Sequence, residues 1–91
     1  MLELKDFEAA YNKVQEVVLP TKLIKSEYFS NQTGNDVYLK PENMQLTGAY
    51  KIRGAYYKIS TLSEEEKAKG LITASAGNHA QGVALAAARQ G

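Results

Sequence analysis

A short apolar run that leads through a glycine turn into a helix of small residues constrains the fold of this chain most strongly. Leu71-Ile72-Thr73-Ala74 is mostly apolar and partly β-branched, as buried parallel strands are. Ser75-Ala76-Gly77-Asn78 follows, and residues 79–90 then have helical apolar spacing. The predicted helix stripe comprises Ala80, Val83, Ala84, Ala87 and Ala88, widened by Leu85 and Ala86. Strand, glycine loop and helix in succession predict an α/β fold with an open sheet and flanking helices, in which ligands bind at the carboxyl ends of the strands.

A lysine stands at the start of a second predicted helix. Thr47 and Gly48 open a turn, and four apolar residues then recur at helical spacing: Ile52, Ala55, Tyr56 and Ile59. Lys51 is therefore predicted in the first helical turn. A helix N-terminus, a nearby cation and burial all disfavour a second positive charge there, which favours the neutral, nucleophilic amine. The alternative interpretation is that Lys51, like most lysines, is a solvated surface charge.

Local patterns predict the remaining elements. Residues 6–18 fit a helix with Asp6 as its cap, and Pro20 stops it. Residues 21–29 are predicted to be extended and to end in a turn at 30–35, and residues 36–40 alternate as a strand does. Chain reversal would make these two runs an antiparallel pair. Residues 63–66 form a capping box for a short helix that Gly70 ends.

Composition excludes several classes of function. Eleven basic and ten acidic residues give a net charge of +1, so no nucleic-acid partner is expected. Without cysteine there is no disulfide or thiolate site, and the single histidine argues against a metal site. The chain has neither a bilayer-spanning apolar run nor a signal-peptide pattern, so no membrane partner and a cytoplasmic location are expected. At 91 residues, ending just after a helix, it is expected to be an N-terminal fragment.

Two long motifs resemble those of one enzyme superfamily. Leu39-Lys40-Pro41-Glu42-Asn43, followed by Gln45-Leu46-Thr47-Gly48-Ala49-Tyr50-Lys51-Ile52-Arg53-Gly54-Ala55, resembles the Schiff-base lysine region of fold-type II (tryptophan synthase β-like) pyridoxal-phosphate enzymes. Thr73-Ala74-Ser75-Ala76-Gly77-Asn78-His79-Ala80-Gln81-Gly82 resembles their asparagine loop. The likeness runs from about Leu19 to Gly91 and is greatest to the threonine/serine dehydratase branch. It implies that residues 1–91 are the N-terminal portion of a cofactor-binding catalytic domain, truncated after the asparagine-loop helix.

The resemblance implies roles for three residues that would meet pyridoxal 5′-phosphate. Lys51 matches the lysine that bonds the cofactor covalently and then removes the substrate Cα proton. Tyr50 matches an aromatic residue that packs on the cofactor ring, although it could also be a simple core residue. Asn78 matches the asparagine that hydrogen-bonds the 3′ oxygen of the ring.

The segment Ser75, Ala76, Gly77, Asn78 and His79 is expected to bind the substrate carboxylate through backbone N–H groups at a helix start. Gly77 would let the backbone approach closely, and Ser75 would add a hydroxyl donor. Without the resemblance, Ser75 and Asn78 are ordinary helix caps. His79 could act as a general base, but bonding to the neighbouring backbone is the more usual role of a histidine at a helix start.

Two positions indicate the branch. Ile52 stands where threonine synthases usually carry an acidic residue, and Ala76 stands where serine racemases carry a proton-handling serine. The expected activity is therefore deamination of L-threonine to 2-oxobutanoate and ammonia, with L-serine as a secondary substrate, in amino-acid metabolism such as isoleucine biosynthesis. The full-length protein is expected to be a homo-oligomer. Serine dehydratase, racemase or β-replacement activity is the enzyme alternative, and an α/β binding module that retains the motifs is the non-enzyme alternative. The family's phosphate-binding loop and pyridine-nitrogen partner match nothing in these residues, so the fragment alone is expected to be inactive.

Overall fold

Five α-helices and one two-stranded sheet make up the fold in a computed structural model, which describes all 91 residues. The helices are α1 (Leu4–Val14), α2 (Glu27–Thr33), α3 (Lys51–Ser60), α4 (Glu64–Ala68) and α5 (Asn78–Gln90). The strands are β1 (Ile24–Lys25) and β2 (Tyr38–Leu39), and a 3₁₀ turn covers Glu42–Met44. No helix combines the length and the apolar character needed to cross a membrane.

The core lies where α3 packs on α5. The four apolar residues that predicted α3 are all buried in it: Ile52, Ala55, Tyr56 and Ile59. Ile52 of α3 and Ala86 of α5 are both 0 % exposed, and Val17 completes the cluster from the turn after α1. The predicted helix after Lys51 is therefore confirmed, and its apolar face joins it to α5.

The buried stripe of α5 is narrower than predicted. Gly82 and Ala86 are buried, with Val83, Leu85 and Ala87 packed beside them. Ala84 and Ala88, which we expected in the stripe, are exposed. Helix α5 packs mainly on α3, and Ala84 and Ala88 lie on the side of α5 that faces solvent.

The predicted strand at residues 71–74 is wrong in this structure. These residues have no regular secondary structure, and the Ile72 side chain is fully exposed. A strand needs a neighbouring strand to pair its N–H and C=O groups, and the only sheet here is the β1–β2 pair, far earlier in the chain. The apolar, β-branched composition favours a strand, but no strand in this chain pairs with residues 71–74.

The antiparallel pair between residues 21–29 and 36–40 is confirmed, in shorter form. Ile24 lies opposite Leu39, and Lys25 lies opposite Tyr38. The extended prediction fails after Ser26, because that side chain accepts the Phe29 N–H at 3.2 Å and starts α2. The left-handed Gly34 (φ 69°) ends α2, so much of the predicted turn is helical.

Capping groups set the bounds of α1 and α4. The Asp6 carboxylate accepts the Glu3 N–H at 2.7 Å, so Asp6 is the third helical residue of a capping box and not the cap itself. Helix α1 ends at Val14, before the predicted stop. The predicted box of α4 is confirmed: Ser63 Oγ accepts the Glu66 N–H at 3.1 Å, and the Glu66 carboxylate accepts the Ser63 N–H at 3.0 Å.

Candidate functional site

Lys51 is the first residue of α3, as predicted, and its side chain is half-buried. Tyr50, the residue before it, is 62 % exposed, so the interpretation of Tyr50 as a core residue is wrong. Its ring lines an open cleft of about 470 Å³ between the end of α1 and the β2–α3 connection. An amine and an accessible aromatic ring thus lie side by side at the start of one helix.

The start of α5 carries unpaired backbone donors. The first helical bond runs from the Gln81 N–H to the Gly77 carbonyl at 3.1 Å, so the N–H groups of residues 78–80 have no partner within the chain. No side chain caps this helix, and Ser75 Oγ instead accepts the Gly77 N–H at 3.1 Å. The interpretation of Ser75 and Asn78 as ordinary caps is therefore wrong. Free N–H groups at the positive end of a 13-residue helix are suited to bind an anion.

Gly82 brings these two helix starts together. A Cβ atom added at Gly82 would lie 3.4 Å from the Ile52 nitrogen and from the carbonyl carbon and oxygen of Lys51. Helix α5 therefore passes so close to the backbone at Lys51 that an added Cβ atom would already be in van der Waals contact with it. Asn78 begins the same helix about one turn earlier. The two predicted motifs, separate in sequence, are therefore adjacent in space at this contact.

An ion pair holds the segment around Lys51 from the other side. The Arg53 guanidinium donates from Nε to Glu42 Oε2 and from Nη2 to Glu42 Oε1, both at 2.9 Å, and the Thr21 hydroxyl donates to Oε1 at 2.9 Å. The Arg53 hydrogen bonds, helped by Thr21, lower the pKa of Glu42 from 4.5 to about 2, against the opposing effect of burial. The same bonds raise the pKa of Arg53. Both groups therefore stay charged across the neutral range.

Gln45 anchors the same connection to the segment after α1. Its buried side-chain amide accepts the Leu19 N–H at 3.0 Å and donates to the Leu19 carbonyl at 2.9 Å. Sequence reasoning missed Gln45, Glu42 and Arg53 as supports of the site, because these contacts join positions with no periodic relation. An isolated glycine within a helical pattern is a known sign of close packing, so Gly82 could have been identified.

The remaining predicted residues lie in the segment that leads into α5. Ser75 and Ala76 are exposed, and the space beside Gly77 is open, because a Cβ atom there would meet no protein atom within 4 Å. The half-buried His79 imidazole makes no hydrogen bond to the backbone, contrary to the expectation for a histidine at a helix start. It lines a cleft of about 330 Å³ between α3 and α5.

The amine and the amide suit an aromatic aldehyde such as pyridoxal phosphate, and the free N–H groups suit a carboxylate. The Lys51 amine, which can bond a carbonyl carbon, the Asn78 amide and a set of free N–H groups belong to the adjoining starts of α3 and α5, whereas the Tyr50 ring lines the cleft beside α1. The Thr47 hydroxyl, on the turn before Lys51, is buried without a hydrogen-bond partner. The free N–H groups at the start of α5 are therefore the donors available to a bound anion.

Comparisons with a family model and with individual proteins point to the same family. The family model described as pyridoxal-phosphate dependent enzyme matches residues 14–91. The L-threonine ammonia-lyase of Thermotoga maritima is 55 % identical over 87 residues, which is 96 % of this chain and 22 % of that protein. The catabolic L-threonine dehydratase TdcB of Staphylococcus aureus is 57 % identical over 88 residues, which is 96 % of this chain and 25 % of that protein. The chain thus spans about a quarter or less of the length of these relatives.

The fold also matches solved structures. The structure of maize serine racemase superposes with a TM-score of 0.87 at 35 % sequence identity, covering 97 % of this chain and 28 % of that one. The likeness includes nearly all of the helices and the connection described above. The arrangement of α3 and α5 therefore also occurs within a longer chain.

Proposed function

The chain belongs to the family of pyridoxal-phosphate-dependent enzymes, and we propose that it is the N-terminal part of the catalytic domain of a threonine ammonia-lyase. The observation that supports this most directly is the contact of Gly82 with the backbone at Lys51, which brings a lysine and an uncapped helix start together. The names of the relatives that are 55 % and 57 % identical support the choice of L-threonine as substrate. L-serine, smaller by one methyl group, is proposed as the secondary substrate.

Four parts of the site have proposed roles in binding. Lys51 would bond the cofactor, Tyr50 would pack on its ring, and the Asn78 amide would hydrogen-bond its 3′ oxygen. The segment from Ser75 to His79 would hold the substrate carboxylate, through the free N–H groups at the start of α5 and the Ser75 hydroxyl. When bound, the cofactor would supply an electron sink for the charge left at the substrate Cα.

The proposed chemistry uses one base on one side of the substrate. The Lys51 amine would take the Cα proton of L-threonine, and the Cα–H electron pair would form the Cα–Cβ double bond. The β-hydroxyl would leave as water after taking up a proton from the solvent, to which Lys51 then returns the Cα proton. The unsaturated amine that is released reacts with water to give 2-oxobutanoate and ammonia. Ala76, within the segment from Ser75 to His79, has only a methyl group and cannot deliver a proton to the opposite side.

A lysine exchange in the complete protein tests this proposal. Lys51→Ala is expected to abolish threonine deamination and the cofactor-mass adduct that borohydride reduction fixes on the peptide bearing Lys51. Lys58→Ala, an exposed lysine of the same helix, is the matched control and should keep both. Deamination by the Lys51→Ala protein at the wild-type rate would refute the assignment.

Racemisation is the second candidate, favoured by the likeness to maize serine racemase. The methyl group of Ala76 opposes it, since racemisation requires a second proton donor. Chiral analysis of L-serine incubated with the complete protein decides between them: we expect pyruvate and no D-serine. Formation of D-serine by the wild-type protein would favour the racemase.

The wider assignments are also proposals. We propose that the complete protein acts on small amino acids in the cytoplasm and forms a homo-oligomer, as the resemblance implies. Light scattering on the purified complete protein measures its mass, and cell fractionation measures its location. A monomeric mass or a membrane-bound fraction would contradict the respective proposal.

A further inference from the structure

The Glu42–Arg53 ion pair lies where it can control the direction of the Lys51 side chain. Arg53 follows Lys51 by two residues in the first turn of α3. At about 100° per residue, side chains two positions apart leave a helix about 200° apart, on nearly opposite sides. A partner that fixes Arg53 on one side therefore fixes how far the first turn is rotated, and with it the direction in which Lys51 points.

The geometry of the contact between Glu42 and Arg53 suits the control of this rotation. The guanidinium meets the Glu42 carboxylate through two parallel hydrogen bonds of 2.9 Å, which fix its orientation as a single bond cannot. The side chains of Glu42 and Arg53 are 19 % and 32 % exposed, so water competes with the pair only in part. Glu42 is itself held by the Thr21 hydroxyl at 2.9 Å.

The opposite side of the same turn is held by α5. Gly82 packs on the backbone at Lys51 and Ile52, and Ile52 is 0 % exposed. The backbone at Lys51 therefore lies between the core contact and the ion pair. Within this first turn, neither contact engages the Lys51 amine, which has no ion-pair or hydrogen-bond partner in the chain.

We propose that Glu42 and Arg53 are positioning residues for Lys51: their two-bond ion pair fixes the rotation of the first turn of α3 and so directs the lysine amine toward the start of α5. This rests on the proposed role of Lys51. Neither residue touches the substrate in this proposal, and both act through the backbone of Lys51.

The test measures the reactivity of Lys51 in the complete, cofactor-free protein. Pyridoxal phosphate is added, samples are reduced with borohydride at intervals, and mass spectrometry gives the rate at which the Lys51 peptide gains the cofactor mass. The variants are Arg53→Lys, which keeps the charge but loses the two-bond geometry, and Glu42→Gln, which keeps the shape but loses the charge. The control is Tyr56→Phe, which removes the 2.6 Å bond from Tyr56 to Glu16 further along the same helix.

We expect both ion-pair variants to slow labelling of Lys51 by about tenfold to a hundredfold, the size of effect that small misplacements of reacting groups produce. In the loaded enzyme, kcat for threonine should fall by a similar factor, with KM changed by less than about twofold. Tyr56→Phe should label at the wild-type rate despite its lower stability. The double variant should be no slower than the slower single variant, because both remove the same interaction.

The outcomes distinguish failure of the positioning role from failure of the proposed function. If wild-type Lys51 is labelled and the ion-pair variants label as fast as Tyr56→Phe, the positioning role is refuted while the proposed function stands. If wild-type Lys51 is labelled but threonine is not deaminated, the substrate assignment fails and the labelling rates still decide the positioning role. If wild-type Lys51 is not labelled, both proposals fail.

Discussion

Two glycines inside helices offer a direct test of the contact that assembles the site. Gly54 lies within α3 and Gly82 within α5. A Cβ atom at Gly54 would meet nothing within 4 Å, whereas one at Gly82 would lie 3.4 Å from three backbone atoms of Lys51 and Ile52. The same substitution at the two positions therefore differs mainly by this contact.

The expected magnitudes follow from helix propensity and packing. Alanine is more stable than glycine in a helix interior by about 0.5–1 kcal/mol, and Gly54→Ala should raise the free energy of unfolding by that amount. Gly82→Ala should gain less, because its methyl group reaches the near limit of ordinary contact with the neighbouring backbone. Gly82→Leu has no room on this side and should cost about 1–3 kcal/mol through overpacking.

Urea unfolding of the complete protein, with the labelling rate of Lys51 measured in parallel, checks this prediction. Gly82→Leu should lower the unfolding midpoint and slow labelling, because the side chain forces α5 away from α3. Gly54→Leu, with the same new side chain on an exposed surface, is the matched control and should do neither. Equal stability and equal labelling of the two leucine variants would refute the close approach at Gly82.

Three further predictions concern the supports of the fold. Tyr56→Phe removes the 2.6 Å bond to Glu16 and should lower the melting temperature by about 2–4 °C, whereas Tyr57→Phe, whose hydroxyl is unbonded, should leave it unchanged. The pKa of Glu42 is lowered to about 2, so its contribution to stability is complete above pH about 4.5 and is lost as the pH falls toward 2. A pH series of melting temperatures should show this loss in the wild type and a smaller one in Glu42→Gln. Ser63→Ala removes the cap of α4 and should cost about 0.5–2 kcal/mol in urea unfolding; a zero change would contradict the capping role.

Helices α3, α4 and α5 could be predicted because the signals that form them are local. The apolar spacing of α3 and the capping box of α4 lie within a few residues of one another, and the structure confirms both. Helix α2 also has local signals, the Ser26 cap and the left-handed Gly34, and in the structure they outweigh the extended pattern predicted for residues 21–29.

Contacts between distant positions could not be predicted in this way. The strand predicted at residues 71–74 depends on a partner strand, and its composition says nothing of where that partner lies. The pairing of Glu42 with Arg53 depends on the fold of the connection between β2 and α3. The motifs predict that Lys51 and Asn78 belong to the site, and the chemical roles of these two residues stay predictions. The contact at Gly82 explains how the two helix starts become neighbours.

The geometry of the site and the packing of the core depend on the same few atoms. Ile52, the side chain completely excluded from solvent in α3, is adjacent to Lys51, and its backbone nitrogen is one of the atoms that Gly82 approaches. A change that loosens the α3–α5 contact therefore alters the distance between the lysine and the start of α5 at the same time as it lowers stability. A well-packed interior resists small displacements, so this coupling gives a flexible lysine side chain a rigid base. The ion pair of Glu42 and Arg53 holds the same turn from the solvent side.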